Sequence, residues 1–383
     1  MQAENASVTI YRDPIPPSVE ADMEALYQHR YASSLQMKVY GQMTADTMAY
    51  VAARDGKTST ALLFRLEHGK ACVLNEQMWL DEGEIARFAR YIFATFREVK
   101  AISFPVVRTE IQRFPFPHQQ FHSTTDIVLT LPHSVEEYMA RLGKSTRSYV
   151  KRYLNKLRRD CPSFEFRAYA NSEIRDADVR DIIALNRARM SGRNKTSYID
   201  EEEERRMLAL LKLRGFVGVL TIDGRVCAGT INYRFGDNYF LQVVAHNPAY
   251  DDHGLGTLCC YLTICECIAQ HGNEYHFLWG QYEYKYRLLG VQRDLDHLAV
   301  YRSRLHMLLL LPMALRIARE GYTYSFRSWV LNKARRKDDS SFTSTLVFHL
   351  VNGLRDLKNV ASRMLRREHA VVAGLPPAQG SDK

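Results

Sequence analysis

A run of helix, three-stranded meander, helix and strand occurs twice in this 383-residue chain, and the repeat limits its fold more than any single motif does. In the first copy, Pro17 and Ser18 precede an acidic turn (Glu20, Asp22, Glu24), which predicts a helix running toward Gln36. Runs rich in β-formers follow at 48–54, 59–66 and 70–77, separated by Asp55-Gly56 and His68-Gly69, dipeptides suited to tight hairpins. Ile85, Phe88, Ala89, Ile92, Phe93 and Phe96 then recur at helical spacing, and 101–107 reads as a strand. The second copy has a helix at 174–190, strands at 216–221, 226–235 and 239–245, a helix at 255–270 and a strand at 275–279. Its turns are Asp223-Gly224 and Gly236-Asp237-Asn238. The expected fold is mixed α/β (α+β): two similar halves in tandem, each a mainly antiparallel meander with flanking helices.

Chemistry-bearing residues concentrate in 245–290. A loop closing on Gly254-Leu255-Gly256 opens a Cys-rich apolar helix, where free amides and the helix dipole favour an anion, although Gly-x-Gly alone is a weak signal. Further on, Gly280-Gln281-Tyr282-Glu283-Tyr284-Lys285 carries a glycine-ended strand into a Tyr-Lys helix start. Glu283, His246, Asp251 and His253 are candidate bases. The plainer readings stand beside these: a structural Lys285 with an aromatic neighbour, and a satisfied loop histidine at His246, directly after a strand.

Between the copies, Ser134-Val135-Glu136-Glu137 has capping-box spacing, and 138–159 holds eight basic residues and no acid. Tyr149, Val150, Tyr153, Leu154 and Leu157 share one face of this segment, so the charges cover the other. A solvated face explains that; a phosphate-binding surface that includes Arg147 is the sharper alternative. The acidic run 200–204 suits a helix N-terminus and needs no catalytic role.

The order of elements, the Gly280-x-x-x-Tyr284-Lys285 run and the Lys144-Ser145-x-Arg147 segment resemble the CelD/BcsL-like acetyltransferase family of GNAT type, itself related to the Fem-type aminoacyl transferases. The resemblance covers 134–303 well and the first half by architecture only. It implies an acyl carbonyl held where strands 239–245 and 275–279 splay, with a donor pyrophosphate at Gly254 and Gly256. It further implies donor contacts at Gly280 and Arg147, a Lys285 that binds the donor or polarises its carbonyl, and a Tyr284 that protonates the departing thiolate. The family's usual loop has Arg or Gln three residues before the first glycine. Here that position is Asp251, an acid beside an expected diphosphate, which points to an atypical donor.

The implied activity is N-acyl transfer from acyl-CoA or an acyl-carrier protein, as cosubstrate and not a resident cofactor, to an amine of a small molecule or envelope sugar. Two other functions stay open: tRNA-dependent aminoacyl transfer, and a non-catalytic, membrane-peripheral role in polysaccharide assembly. The expected divisions are 1–131 (a degenerate first half), 132–160 (basic connecting helices), 161–303 (the acyltransferase half) and 304–383 (a basic helical tail).

Composition narrows the classes. With 46% apolar and 25% charged residues the chain suits a globular protein, and the polar, proline-broken opening predicts a cytoplasmic location. Seven cysteines without Cys-x-x-Cys read as buried thiols, and no metal or DNA partner is expected. His-Glu-x-x-His, Gly-x-Ser-x-Gly and Walker patterns are missing, which disfavours metalloprotease, serine hydrolase and NTPase. Residues 302–369 contain 14 Lys+Arg and 5 Asp+Glu, the whole of the net +9. Within them, 305–318 is apolar but too short to span a bilayer, which leaves packing on the second half or interfacial contact. A second, amphipathic helix is expected over 344–364. A basic tail of this kind predicts an anionic membrane or other acidic surface as partner.

Overall fold

Three tight hairpins set the strand register. Asp55 and Gly56, His68 and Gly69, and Asp223 and Gly224 all have positive φ, between 49° and 75°, the conformation of a two-residue type I′ turn whose twist matches its strands. The computed structural model describes residues 7–192 and 195–335. In chain order the first half contains β1 (Ser7–Tyr11), α1 (Pro17–Tyr27), α2 (Ser34–Val39), β2 (Met48–Arg54), β3 (Lys57–Glu67), β4 (Lys70–Val73), α3 (Glu82–Thr95), β5 (Ala101–Val107) and β6 (His118–Thr130). The connecting helices are α4 (Val135–Arg141) and α5 (Lys144–Asp160). The second half contains β7 (Glu165–Ala170), α6 (Asp176–Gly192), α7 (Glu201–Arg214), β8 (Gly215–Ile222), β9 (Arg225–Phe235), β10 (Asn238–His246), α8 (Leu255–Ala269), β11 (Glu274–His276), α9 (Glu283–Arg287) and β12 (Val291–Tyr301). It is followed by α10 (Arg304–Leu309) and α11 (Leu311–Arg335).

All twelve strands join one sheet in the order β1-β2-β3-β4-β5-β12-β6-β11-β10-β9-β8-β7. The two halves of that order mirror each other. β4 with β5 and β10 with β11 are the parallel neighbours, each following an antiparallel meander and each bridged by a helix, α3 or α8. The halves also exchange their last strands: β6 pairs with β11 of the second half, and β12 pairs with β5 of the first. β6 and β12 pair with each other along the middle, from Val291↔Val128 to Val300↔His118.

Helices cover both faces of each meander. α3 buries Ile85, Phe88, Ile92 and Phe93 on one side of β2–β5, and Val19 and Met23 of α1 pack on the other. In the second half α8, α4 and α5 take one face and α6 and α7 the opposite one. Each fully buried Leu, Ile or Phe contributes about 1.5–3 kcal/mol, so the four α3 side chains alone outweigh the roughly 1 kcal/mol from the Asp81 N-cap.

Some boundaries differ from the sequence expectation. The helix begun at Pro17 ends at Gln28, which turns left-handed (φ 44°), and residues 28–40 cross to the second half instead of extending toward Gln36. The strand expected at 70–77 ends at Val73, and the one at 275–279 ends at His276. The apolar run at 305–318 packs on one side only: Ala314 and Ile317 are buried beside Ala101, Ala299 and Tyr301, while Leu305, Leu308 and Leu309 are exposed. The helix expected at 344–364 lies outside the described residues.

The sheet and its helices through Ile317 form one compact unit; from Ala318 the chain forms a second. Within the latter, Phe326 and Trp329 stack with centroids 6.1 Å apart.

Candidate active site

The parallel strands β10 and β11 stay paired for three positions only, Asn238↔Glu274, Tyr239↔Tyr275 and Phe240↔His276. Just beyond, β10 bulges between Leu241 and Val243, and the two strands part. β10 continues to His246, whereas Phe277 donates its amide to Ile127 O (2.7 Å) and the chain turns through Leu278 (φ 57°) and Gly280 (φ 89°). A bulge re-aims backbone groups that the ladder would otherwise consume. The splay expected between 239–245 and 275–279 is therefore present, with its vertex at Phe240 and His276.

The first half closes the same gap. β4 and β5 part after Cys72↔Ser103, but residues 77–80 then bond to 106–108: Gln77 N to Val106 O (2.8 Å), Arg108 N to Met78 O (2.9 Å) and Leu80 N to Arg108 O (3.0 Å). Among the described residues no comparable bonds join 241–246 to 277–280. One half keeps an open slot; the other is sealed by its own backbone.

On the α8 face of the slot, His246 ends β10 and its Nε2 lies 2.8 Å from Asp251 Oδ1. The acid that departs from the usual loop pattern is thus paired with a candidate base. Gly256 lets α8 approach this histidine, since a Cβ there would lie 2.8 Å from His246 Nδ1. Gly254 (φ 59°) faces the Tyr149 hydroxyl so closely that a Cβ there would collide with it. α5 therefore lies over the start of α8, held also by Lys156 Nζ to Asp252 O (3.1 Å) and His253 Nε2 to Asp160 Oδ2 (3.3 Å). Arg147, half-buried, sits in the first turn of α5 with no acid beside it and no side-chain cap before it.

Lys285 does not point into open space. Buried to 3% exposure, its ammonium donates to Phe277 O (2.7 Å), Leu278 O (3.1 Å) and Trp279 O (2.6 Å). An ammonium has three protons, and all three are used. This lysine clamps the turn that carries β11 away from β10; in this arrangement it has no donor left for a ligand. Burial lowers its pKa to about 8, and the nearby Asp126 charge opposes that. Tyr284 packs edge-on against Phe277, and burial pushes its phenol well up. Glu283, one position earlier, is exposed.

The opposite face holds a charged cluster that local sequence patterns did not reveal. His276 Nδ1 lies 2.6 Å from Asp126 Oδ2 and its Nε2 lies 3.3 Å from Glu274 Oε2. Glu274 in turn is paired with Arg293 (Nη1 to Oε2, 2.8 Å). His276 also stacks on Phe240, with centroids 4.3 Å apart, and meets His29 edge-on at 5.2 Å. Burial opposes a charge on His276, but Asp126 more than offsets it and raises its pKa; the same pair lowers Asp126 against its own burial. Burial, then the neighbouring His276, pushes His29 down to about 3, so His29 is neutral and its Nδ1 accepts from Tyr31 N (3.3 Å). Asp126 Oδ1 is buried without a hydrogen-bond partner.

Donor atoms of His29, Asp126 and His276 lie within 4.8 Å of one another, a set that would be able to ligate a divalent cation. As arranged, Asp126 and His276 instead pair with each other through Oδ2 and Nδ1, which leaves Asp126 Oδ1 over. Beside them, Arg30 is buried and donates to Gln36 (3.0 Å) and to Gln242 at the bulge, while Gln242 Nε2 donates to the Tyr198 hydroxyl (3.1 Å). Residues 28–31 of the first half thus wall the slot of the second. A separate cleft of about 560 Å³ opens at the start of β11, where Glu274, Asn238, Gln28, His133 and Arg141 line it.

Of the expected residues, the structure brings together His246, Asp251, Gly254, Gly256 and the α5 helix on one face. Lys285, Tyr284 and Gly280 belong to the turn. Glu274 and His276, alternating about Tyr275 on one short strand, are the local hint of the cluster; Asp126, His29 and Arg293 give none.

Comparison with known proteins agrees with this geometry. Residues 144–286 match the family model for an acetyltransferase (GNAT) domain. Among solved structures, FemX is similar with a TM-score of 0.51 at 10% identity, over 75% of this chain and 96% of that one. L-PGS from Bacillus licheniformis has a TM-score of 0.46 at 13% identity, over 80% and 98%. The C-terminal domain of a putative lysylphosphatidylglycerol synthetase from Agrobacterium fabrum has 0.45 at 10%, over 79% and 97%. No curated protein sequence matches the chain. The segment that carries the open slot is the one that matches the GNAT acetyltransferase domain model, and the fold around it is similar to that of FemX.

Proposed function

We propose that the protein is an N-acyltransferase that moves an acyl group from a thioester, on CoA or an acyl-carrier protein, to an amine of a small molecule or envelope sugar, as the narrower CelD/BcsL-like resemblance implies. The observation that carries this is the parting of β10 and β11 beside a bulge, inside the GNAT-matching segment, while the equivalent gap in the other half is sealed. Backbone groups freed at the bulge would hold the carbonyl oxygen as charge develops on it.

His246 with Asp251 is the proposed base for the amine. Tyr284 is the proposed acid for the thiolate: burial keeps the phenol protonated, the form an acid needs, but makes donation to a thiol of pKa about 8.5 more uphill. Lys285 serves as a positioning residue that shapes the slot.

One observation favours a second reading. The basic α5 lies across the start of α8, where a donor's phosphates would be held, and so suits a polyanionic donor such as an aminoacyl-tRNA.

Mass spectrometry of ligands retained through native purification, followed by thiol release from acyl-CoA in the presence of an amine panel, tests the proposal. Bound CoA or carrier and amine-dependent thiol release are expected. Co-purified tRNA with no thiol release favours the second reading, and neither ligand nor turnover refutes both.

A further inference from the structure

We propose that α10 and the first turns of α11 dock on an anionic lipid surface. Leu305, Leu308 and Leu309 of α10, at helical spacings of three and four, are 60–66% exposed, and Leu311 and Leu315 of α11 follow at 46% and 60%. Five large apolar side chains left exposed within eleven positions are more than soluble monomers usually leave open in one segment. The core does not need them: on the reverse side, Met307, Leu310, Met313, Ala314 and Ile317 already pack against Ala101, Ala299 and Tyr301 of β5 and β12. The segment therefore has two apolar sides, one used by the sheet and one not.

Charge decides the occupant. Arg304 and Arg316 are exposed at the two ends of the leucine patch, and no acid occurs from 297 to 319. The residues from 302 to 369 hold all of the net +9. A patch of leucines bordered by guanidinium groups matches an acyl region beneath anionic headgroups, since both components of an interfacial helix are present and each contact reinforces the other. No described helix is long and apolar enough to cross a membrane, so the geometry is that of a helix lying in the interface.

The test is co-sedimentation of the full chain with vesicles of phosphatidylglycerol and phosphatidylcholine, and with phosphatidylcholine alone, at about 0.05 M and about 0.5 M salt. Binding is expected to the anionic vesicles, weakened by salt, and reduced about tenfold or more in a variant carrying Leu305→Ser, Leu308→Ser and Leu309→Ser. If that variant does not fold, Leu308→Gln alone, at the most exposed position, should still weaken binding severalfold. The proposal is overturned if the wild-type chain fails to bind anionic vesicles at low salt, or if the leucine variants bind as well as wild type. It is equally overturned if removing the leucines converts a dimer to a monomer, or newly exposes 344–364 to protease, with vesicle binding unchanged. Those results would assign the patch to a second copy or to the chain's own C-terminal segment.

Discussion

Lys285 shows how a residue recognised by its motif acquires its role from its surroundings. Three carbonyls of the turn accept from its ammonium, so Lys285→Met should leave them unpaired and cost about 2 kcal/mol, seen as a lower urea midpoint at pH 7. Unchanged stability would remove the clamp. The pH dependence has a definite sign. With a folded pKa of about 8 against 10.5, the folded state binds fewer protons than the unfolded state between those values, so this lysine makes stability rise with pH across that window. The rise should vanish in Lys285→Met. His276 acts in the opposite sense, and Asp126 in the same sense but at acid pH. The raised His276 contributes stability fully present below about pH 6.5 and lost as pH climbs through its folded pKa; the lowered Asp126 contributes above its unfolded value and loses it as pH falls through the folded one. Asp126→Asn should therefore destabilise by about 3 kcal/mol near pH 6, with a deficit that narrows as pH rises and His276 loses its proton, measured as urea midpoints over a pH series.

At the scale of elements, two equivalent strand pairs have different fates. Backbone bonds from 77–80 to 106–108 seal the first gap, while the second stays parted. Hydrogen exchange separates them: the amides of Gln77 and Arg108 should be strongly protected in the protein alone. Those of Trp279 and Gly280, which have no backbone acceptor among the described residues, should exchange fast and slow down only when donor is added. Protection of Trp279 and Gly280 in the absence of donor would mean that the second gap is closed as well. A slot whose polar groups are already satisfied has nothing to offer an acyl carbonyl.

For the molecule as a whole, the exchanged strands tie the halves together. β6 comes from the first half by sequence yet pairs with β11 and β12, and β12 comes from the second yet pairs with β5. Cutting the chain at 131 leaves β5 and β11 each without its central neighbour, and an unpaired edge in the middle of a sheet is costly. Neither 1–131 nor 132–383 should unfold cooperatively alone, whereas the two co-expressed should restore a single transition. Independent cooperative folding of 132–383 would show that the exchange is dispensable.

The amino-acid sequence by itself determined both meanders, because hairpin dipeptides and hydrophobic periodicity are local and survive any tertiary context: the strands expected at 48–54 and 101–107 have those bounds, and those expected at 216–221 and 239–245 lie within 215–222 and 238–246. It also located the loop at Gly254 and Gly256 and the pairable His246 and Asp251, which lie within ten residues of one another. Tertiary structure alone decided the rest. β6 and β12 carry polar residues on both faces, as in HQQFHSTTDIVLT, and become central strands only because each half supplies the other's missing neighbour. The His29, Asp126 and His276 cluster joins three segments about 100 to 150 residues apart, charges that solvate separately in the unfolded chain and pair only once the sheet has closed around them. Even Lys285, singled out by its motif with a ligand contact and a structural role both open, takes its surroundings from the turn that folds around it; a buried ammonium must find acceptors, and the nearest are three carbonyls of its own chain.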